Sequence, residues 1–370
     1  MSRALSVVIA AGGTGGHIYP GLALAEALRD RDARITFVGT KLGLEGKLVP
    51  DAGFPLRTVD MVPLTKRYGW RFPAALAVAS AQCTRVLREV EADVAVGMGG
   101  YSSAPLLVAA KLAGTPSLIH DSNAVPGRAN RFSAYLTNNI ALAFPEAAEH
   151  LASGVDCRTV GMPLAASISS FDRSALRAEA RAAMGLAPGT TMVLVNGGSL
   201  GATRLNVAAA DLAARWRHRS DVRLIIKAGR EGADSLNKRI AADGAQHVAE
   251  AVQYFERMDV IYAAADATVC RAGAATVAEL GMVGLPSVLV PYPYAPHDHQ
   301  TRNAQALVRA GAAVLLADAD TTAERLESVL EDIVSNPERR SSMAAAALRT
   351  SRPGAALALA DWVTELGVPK

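Results

Sequence analysis

The chain has 370 residues, of which 50% are hydrophobic, 20% charged and 5% aromatic. A single hydrophobic core rarely exceeds about 250–300 residues, so this length predicts two domains. The composition excludes a disordered chain, a coiled coil and a disulfide-stapled scaffold. With 38 basic and 35 acidic residues, the net charge of +3 is too even to indicate a nucleic-acid-binding protein.

The cysteine pattern and the hydropathy indicate in which cellular environment the protein is expected. Cys83, Cys157 and Cys270 are widely spaced and fit no metal-ligand pattern, so a reduced interior is expected. The apolar run from Ser2 to Ala10 is too short for a signal peptide, and no stretch reaches the ~20 apolar residues of a membrane span. Any association with a membrane is therefore expected at its surface.

The first half of the chain alternates strand-like and helix-like segments, which favours a parallel sheet with helices on both faces. Pro20 fits the first turn of the first helix. The predicted strands are Leu5–Ala10, Ile35–Val38, Asp93–Val96 and Ser117–His120, and the predicted helices are Pro20–Arg29, Ala74–Glu89, Pro105–Leu112 and Arg128–Leu136.

The pattern breaks near Gly161 and restarts as a second, similar series. Its predicted strands are Met192–Asn196, Leu224–Lys227, Ala267–Cys270, Ser287–Val290 and Val314–Leu316, and a last helix is predicted at Ala355–Leu366. The sequence therefore predicts an α/β protein of two doubly wound, Rossmann-like domains, residues 1–160 and 161–350. The segment 351–370 is predicted to be a C-terminal helix that packs back on the first domain.

Three glycine-rich loops follow predicted strands. They are Gly12-Gly13-Thr14-Gly15-Gly16-His17, Gly97-Met98-Gly99-Gly100-Tyr101 and Gly197-Gly198-Ser199-Leu200-Gly201. Glycine lets a backbone approach a ligand closely, and the amides at a helix start attract anions. One such loop is usually only a tight turn, but three at strand ends indicate a phosphate-binding crevice between the domains.

The type of ligand can be narrowed. A dinucleotide fingerprint starting at Gly13 would require glycine where Ile18 stands, and no acidic residue ends the second strand, so NAD is disfavoured. A Walker A string is absent. His297 and His299 lie too close together for a preformed zinc site, and the pairs Asp30-x-Asp32 and Asp318-x-Asp320 are expected to be solvated charge in surface turns. No metal and no cofactor are predicted.

The segment Cys270–Glu279 follows a predicted strand and opens a helix with small residues. In one interpretation this helix start faces a diphosphate and Glu279 accepts from ribose hydroxyls. In the other, Thr276-x-x-Glu279 is only a capping box. The residues alone leave both interpretations open.

Together these motifs, with His120-Asp121-Ser122-Asn123 and His299-Gln300-x-x-Asn303, resemble the MurG family of peptidoglycan N-acetylglucosaminyltransferases over essentially the whole chain. The resemblance implies the GT-B fold, with two domains facing a cleft. It also implies metal-free, inverting transfer of GlcNAc from UDP-GlcNAc to the MurNAc 4-hydroxyl of lipid I, which yields lipid II. A role in cell-wall synthesis, and through it in cell shape and division, is then expected.

The resemblance also implies residue roles. Donor contacts are expected from Thr14, Gly15, Gly16, Asn123, Ser199, Phe255, Ala274, Ala275, Thr276, Val277, Ala278, Glu279 and Gln300. The acceptor diphosphate is expected at Gly12, Gly13, Gly99, Gly100, Tyr101 and Ser102. Glu279 would hold the ribose.

Three motifs depart from the family pattern. The usual hinge Gly-Asn-Pro-Val-Arg is Gly161-Met162-Pro163-Leu164-Ala165, which has no arginine for a donor phosphate. The usual His-Glu-Gln-Asn is His120-Asp121-Ser122-Asn123, and leucine replaces glutamine at position 200. A paralogue with another acceptor, a sugar-nucleotide epimerase, an antibiotic glycosyltransferase and a non-catalytic nucleotide-sugar-binding subunit are the alternatives.

The reaction requires a base and stabilisation of the leaving diphosphate. His17 is the predicted base because imidazole titrates near neutral pH, with a purely structural histidine as the alternative and Asp121 as the reserve base. Amides near Ser199 and Ala275 would stabilise the diphosphate, and Arg271 would add charge.

Residues 60–90 carry a local excess of positive charge. The patch Lys66, Arg67, Trp70, Arg71 and Phe72 combines cations with aromatic rings, as in surfaces that bind anionic headgroups. The same residues are also compatible with a solvent-exposed loop that precedes an ordinary core helix. With a polyprenyl-linked acceptor, the patch predicts peripheral attachment to the anionic cytoplasmic face of the cell membrane.

Overall fold

The computed structural model describes residues 3–41, 43–62, 71–152, 154–197, 202–229 and 232–368. Two compact units divide the chain. The first comprises Met1–Ala165 together with Arg352–Lys370, and the second comprises Ala166–Ser351.

The first unit contains a seven-stranded parallel sheet. Its strands are β1 (Ser6–Ala10), β2 (Arg34–Thr40), β3 (Leu56–Val59), β4 (Val94–Gly97), β5 (Ser117–Asp121), β6 (Asn139–Leu142) and β7 (Asp156–Thr159), in the order β3-β2-β1-β4-β5-β6-β7. In β1, Val7 and Ile9 belong to one buried cluster and Val8 and Ala10 to another. Both faces of the strand are therefore covered, which explains its uninterrupted apolar run.

Five helices of the first unit connect these strands: α1 (Gly15–Arg29), α2 (Glu45–Asp51), α3 (Phe72–Glu89), α4 (Ala104–Ala113) and α5 (Arg128–Ser133). The predicted start of α1 at Pro20 is wrong. The helix begins at Gly15, and Pro20 lies inside it as a buried residue. Glycines disfavour helix in isolation, but here the buried stripe that includes Ile18 and Leu22 holds the segment helical.

The second unit contains a six-stranded parallel sheet in the order β10-β9-β8-β11-β12-β13. The strands are β8 (Thr191–Asn196), β9 (Val222–Lys227), β10 (Ala249–Val252), β11 (Ala267–Cys270), β12 (Ser287–Leu289) and β13 (Ala313–Leu315). The helices are α6 (Ala166–Ser169), α7 (Arg173–Ala183), α8 (Thr203–Arg215), α9 (Ala233–Ala242), α10 (Met258–Ala264), α11 (Ala274–Val283), α12 (His299–Arg309), α13 (Ala323–Ser335) and α14 (Pro337–Leu348). The two doubly wound parallel sheets confirm the predicted fold class.

The last helix, α15 (Ala355–Gly367), packs in the first unit. Leu359, Trp362 and Val363 are buried in the cluster that contains Val7 and Ile9 of β1. At its surface, Arg31 pairs with Asp361 at 2.8 Å and Arg158 with Glu365 at 2.8 Å. The Arg158 guanidinium also lies 4.3 Å from the Trp362 ring centre. The chain thus returns to the first sheet after completing the second.

Each sheet reverses its strand order once, between β1 and β4 in the first unit and between β8 and β11 in the second. The loops that leave such neighbouring strands diverge to opposite faces and open a crevice at the carboxyl edge, where α/β proteins bind ligands. The three predicted glycine loops lie at the ends of three of these four strands, β1, β4 and β8. No helix in the described part of the chain combines the length and apolar character needed to cross a membrane.

Candidate donor and acceptor sites

In the first unit, the loops after β1 and β4 enclose His17. A Cβ placed on Gly99 would lie 3.2 Å from His17 Cδ2, and one on Gly100 would lie 3.2 Å from Cε1 and from Nδ1. Both glycines have positive φ, +95° and +77°. The imidazole therefore packs directly against the backbone of these two residues. Only glycine adopts their positive φ without strain and leaves room for the ring.

The electrostatic environment of His17 suits a base. Burial lowers the pKa of His17, opposed by a hydrogen bond from its ring to the Gly12 carbonyl. The Thr14 hydroxyl lies 3.4 Å from His17 Nδ1. Since a lowered pKa keeps the imidazole neutral at neutral pH, the ring holds a lone pair that can accept a proton.

The other predicted residues of these two loops differ in access to solvent. Thr14 and Gly16 are exposed, Gly15 is half-buried, and Tyr101 lies against Gly13, where a Cβ would contact its Cε1 at 3.4 Å. Ser102 is fully buried, with its Oγ beneath Gly12. The structure therefore argues against the predicted contact of Ser102 with an acceptor diphosphate, because the hydroxyl is not accessible in this arrangement.

Sequence reasoning missed Glu45, which is fully buried beneath the first glycine loop. Glu45 Oε1 accepts from the Thr40 amide and hydroxyl, both at 2.8 Å, and Oε2 accepts from the Gly13 amide at 3.2 Å. The amide of Gly13, predicted to face the acceptor diphosphate, is thus already engaged. Glu45 lies 32 residues from Gly13, so no local pattern indicates the contact.

The loop after β5 is organised by two buried side chains. His120 Nε2 lies 3.0 Å from the Gly161 carbonyl, to which it donates, and burial lowers the pKa of His120 to about 4. Asp121, only 1% exposed, accepts from the Asn123 amide at 3.0 Å. Asn123 itself is half-buried. The burial of Asp121 makes it less accessible to an acceptor hydroxyl than the partly exposed His17.

In the second unit, helix α11 starts at the carboxyl end of β11. Its N-cap is Gly273, so the capping-box interpretation is wrong: Thr276 lies inside the first turn. Ala275, Thr276 and Ala278 are half-buried, whereas Ala274 and Val277 are buried. The Val277 amide donates to the Gly273 carbonyl at 2.9 Å, so this amide is engaged within the first turn of the helix.

Glu279 is a half-buried carboxyl group held by a buried tyrosine. Tyr262, 2% exposed, donates its hydroxyl to Glu279 Oε2 at 2.8 Å. Burial raises the pKa of Glu279, opposed by this hydrogen bond and by the charge of Lys227. Lys227 also lies 5.0 Å from the ring centre of Tyr254, next to the predicted donor residue Phe255, which is half-buried.

One expectation about charge in the second unit is wrong. Asp318 is not solvated: its side chain is 12% exposed and lies 2.7 Å from Arg271 and 3.2 Å from Arg204. Arg271 donates to the carbonyls of Val290 and Pro291 as well. Because its charge is matched by Asp318, Arg271 adds little net charge for a donor diphosphate.

The start of α12 is tied to the neighbouring loops. Gln300, half-buried, accepts from the Tyr292 amide at 2.8 Å, and fully buried Asn303 donates to the Ala272 carbonyl at 3.3 Å. His299 Nδ1 lies 2.8 Å from the Pro296 carbonyl. No group of three or more His, Cys, Asp or Glu that could hold a metal ion occurs among the residues that the structure describes.

Some predicted residues lie outside the described part of the chain: Ser199 in the third glycine loop, and Lys66, Arg67 and Trp70 of the basic patch. Of the remaining patch residues, Arg71 is exposed and forms the N-cap of α3. Phe72 is half-buried and packs against the core cluster under α3.

Comparison with known proteins defines the class. Residues 7–142 match the glycosyltransferase family 28 N-terminal domain, and residues 192–358 match the glycosyltransferase family 28 C-terminal domain. With its two Rossmann-like units and glycine loops, this is a GT-B glycosyltransferase.

Individual relatives narrow the family. The chain is 41% identical to a protein of a Nocardioides species and 42% identical to one of Saccharopolyspora erythraea. In both comparisons 98% of this chain is covered, with 99% and 95% of the relatives. Both are named UDP-N-acetylglucosamine–N-acetylmuramyl-(pentapeptide) pyrophosphoryl-undecaprenol N-acetylglucosamine transferase. The crystal structure of Acinetobacter baumannii MurG is 27% identical with a TM-score of 0.78, covering 98% of this chain and 99% of that one. The chain belongs to the MurG family of glycosyltransferases.

Proposed function

We propose that this chain transfers GlcNAc from UDP-GlcNAc to the N-acetylmuramyl sugar of undecaprenyl-pyrophosphoryl-MurNAc-pentapeptide, the step that converts lipid I to lipid II. The observation that carries the proposal is full-length similarity at about 40% identity to transferases named for this reaction. The glycine loops at both reversals of strand order support it, because each supplies backbone amides where anionic ligands bind.

The two units divide the work in this proposal. The second unit holds the donor: Glu279 accepts from the ribose, and the start of α11 directs amides of its first turn at the diphosphate. The first unit holds the acceptor diphosphate at the loops Gly12–His17 and Gly99–Tyr101. A positive helix end near a departing diphosphate lowers the barrier, since charge grows there in the transition state.

His17 acts as the base in this mechanism. It removes the proton of the MurNAc 4-hydroxyl as that oxygen attacks the anomeric carbon and UDP leaves, with inversion at the carbon. Its neutral form, favoured by burial, and its partly exposed ring support this role. Asp121 remains the reserve base, and its burial makes it the weaker candidate.

The test is transfer of radiolabelled GlcNAc from UDP-GlcNAc to a lipid I analogue, with UDP-Glc and UDP-Gal as donor controls. Transfer that requires the lipid I analogue and the GlcNAc donor is expected. An incubation with donor alone separates the alternatives: conversion of UDP-GlcNAc without acceptor would indicate an epimerase. UDP binding with no turnover on any acceptor would indicate a non-catalytic subunit.

A paralogue with another acceptor is the second candidate. Ala165 stands at the hinge position where the family pattern implies an arginine, and Asp121-Ser122 replaces its Glu-Gln. Replacing Ala165 by arginine tests the first departure. Tighter UDP-GlcNAc binding is expected if the position faces the donor phosphate, and unchanged affinity would show that it does not.

We also propose peripheral attachment at the anionic cytoplasmic face of the membrane through the basic patch. Flotation with anionic liposomes at low salt should recover the protein, and neutral liposomes should not. A Lys66→Glu/Arg67→Glu variant should lose flotation. The matched variant Arg217→Glu/Lys238→Glu, which changes two exposed cations of the second unit, should retain it. Equal flotation of both variants would contradict the assignment of the patch.

A further inference from the structure

The buried carboxylate of Glu45 has no part in the function proposed above. Three glycines, Gly12, Gly39 and Gly43, leave the space that it fills: a Cβ on Gly12 would lie 2.6 Å from Glu45 Oε1, and one on Gly39 would lie 2.6 Å from Glu45 Cγ. A fully buried carboxylate costs much free energy unless it is hydrogen-bonded. The space that these three glycines leave for a buried carboxylate therefore suggests that Glu45 has a role other than filling the core.

The partners of Glu45 connect it to the first glycine loop. Oε1 accepts from both Thr40 donors, and among the residues that the structure describes Oε2 accepts from the Gly13 amide. That amide belongs to the same peptide group as the Gly12 carbonyl. Because the peptide is trans, its N–H and C=O point in opposite directions.

The other side of this peptide group faces His17. A Cβ built on Gly100 would lie 3.2 Å from His17 Nδ1 and 3.5 Å from the Gly12 carbonyl oxygen, so the ring and this carbonyl are neighbours. The Gly12 carbonyl acts to raise the pKa of His17 against the effect of burial. A peptide whose N–H bonds to a carboxylate becomes a stronger acceptor at its carbonyl, because hydrogen bonds in a chain polarise one another. The Glu45 carboxylate, the Gly12–Gly13 peptide and the His17 imidazole therefore form a continuous series of polar neighbours.

We propose that Glu45 is a positioning residue for His17 and acts through the Gly12–Gly13 peptide. The carboxylate fixes that peptide, and the peptide carbonyl fixes which ring nitrogen of His17 carries the proton. The other nitrogen then presents its lone pair to the acceptor hydroxyl. This inference rests on the proposed function, in which His17 is the base.

The test replaces Glu45 by glutamine. Oε1 can keep its two bonds to Thr40, but the amide nitrogen then faces the Gly13 N–H, so donor meets donor. We expect kcat for transfer to the lipid I analogue to fall about tenfold or more, since small misplacements of a catalytic group are costly. UDP affinity should stay within about twofold. Loss of the negative charge should also shift the acid limb of the kcat profile to lower pH, because an imidazolium loses a stabilising neighbour.

Three variants complete the design. Glu89→Gln removes an exposed carboxylate of the same unit and should leave kcat unchanged. Thr40→Val removes one bond to Oε1 but keeps the carboxylate, and should cost less than Glu45→Gln. The double variant His17→Ala/Glu45→Gln should be no slower than His17→Ala alone, because the two residues act as one unit. A wild-type kcat in Glu45→Gln, or losses that multiply in the double variant, would overturn the proposal.

A measurement on the unaltered protein guards against misfolding of the variant. Nitrogen NMR of the His17 ring should show a single tautomer, and the Gly13 amide should be protected from hydrogen exchange. A mixed tautomer, or a Gly13 amide that exchanges as an open loop does, would also overturn the proposal. If the wild-type protein transfers no GlcNAc, the proposed function fails, whereas the NMR result still decides the role of Glu45.

Discussion

Replacing Gly100 by alanine separates the position of the His17 ring from the stability of the fold. Gly100 has a φ of +77°, which costs an L-residue roughly 1–2 kcal/mol. In addition, the new Cβ would lie 3.2 Å from His17 Cε1 and Nδ1, closer than ordinary van der Waals contact. The ring must therefore move by a few tenths of an ångström.

Gly114 supplies the matched control. It has a φ of +69°, and a Cβ there would meet nothing within 4 Å. Gly114 caps the end of α4 in the same unit. Gly114→Ala therefore introduces the backbone strain without a new side-chain contact. Both variants should lose about 1–2 kcal/mol of unfolding free energy in urea.

The two variants should differ in catalysis. Since a displacement of 1 Å can cost about a hundredfold, a shift of a few tenths should lower kcat a few-fold to about tenfold in Gly100→Ala. The acceptor KM should rise as well, because Gly100 is proposed to contact the acceptor diphosphate. Gly114→Ala should keep wild-type kcat and KM. Equal kcat values in the two variants, at equal loss of stability, would refute the placement of a catalytic His17 against this loop.

Further predictions concern four other sites. His17→Ala should lower kcat far more than it changes UDP-GlcNAc binding; unchanged kcat would remove His17 from the role of base. Tyr262→Phe should raise the pKa of Glu279 further, because it removes a hydrogen bond to the ionised carboxylate. The rise in donor KM on acidification should then begin at a higher pH than in the wild type. Identical pH profiles of KM in the two proteins would contradict the ribose role of Glu279. The pKa of His120 is about 4 in the folded chain and about 6.5 in the unfolded chain, so on acidification the unfolded state takes up the proton first. The free energy of unfolding should therefore fall by about 3 kcal/mol between pH 6.5 and 4. Urea titrations of the His120→Gln variant should not show this pH dependence. Asp266→Asn should cost about 3 kcal/mol in the same assay and leave kcat unchanged, because Asp266 pairs with two arginines of α7 at 2.6 and 3.1 Å.

The central strands were predictable because both their faces are covered. The predicted strands of each half overlap β1, β2, β4 and β5, and β8, β9, β11, β12 and β13. The strands that the sequence analysis missed are β3, β6, β7 and β10. Three of them lie at sheet edges, where one side of the strand lacks a partner and polar residues are tolerated. β7, for example, is Asp-Cys-Arg-Thr and alternates between exposed and half-buried residues.

The candidate site was predictable where function depends on adjacent residues. Glycine loops at strand ends carry their signal locally, and their location at the two reversals of strand order follows from the topology. Long-range contacts carry no such signal. The bond from Glu45 to Gly13 and the bond from Tyr262 to Glu279 join residues far apart in sequence, and only the packed structure brings them together.

Four buried or half-buried carboxylates, Asp266, Asp318, Glu45 and Glu279, differ in their partners. Asp266 and Asp318 pair with arginines. Glu45 and Glu279 are held mainly by neutral donors, from Thr40 and Gly13 in one case and from Tyr262 in the other.

An arginine partner neutralises a carboxylate and leaves little net field for a ligand. The field of an ionised carboxylate held by neutral donors is not cancelled by a counter-charge, so it polarises the groups that it touches. A carboxylate without an arginine partner at the carboxyl edge of a sheet lowers the stability of the fold, because no opposite charge offsets the cost of burying it. We therefore expect the two carboxylates held by neutral donors to be the ones that serve the proposed reaction, Glu279 at the ribose and Glu45 behind the proposed base His17.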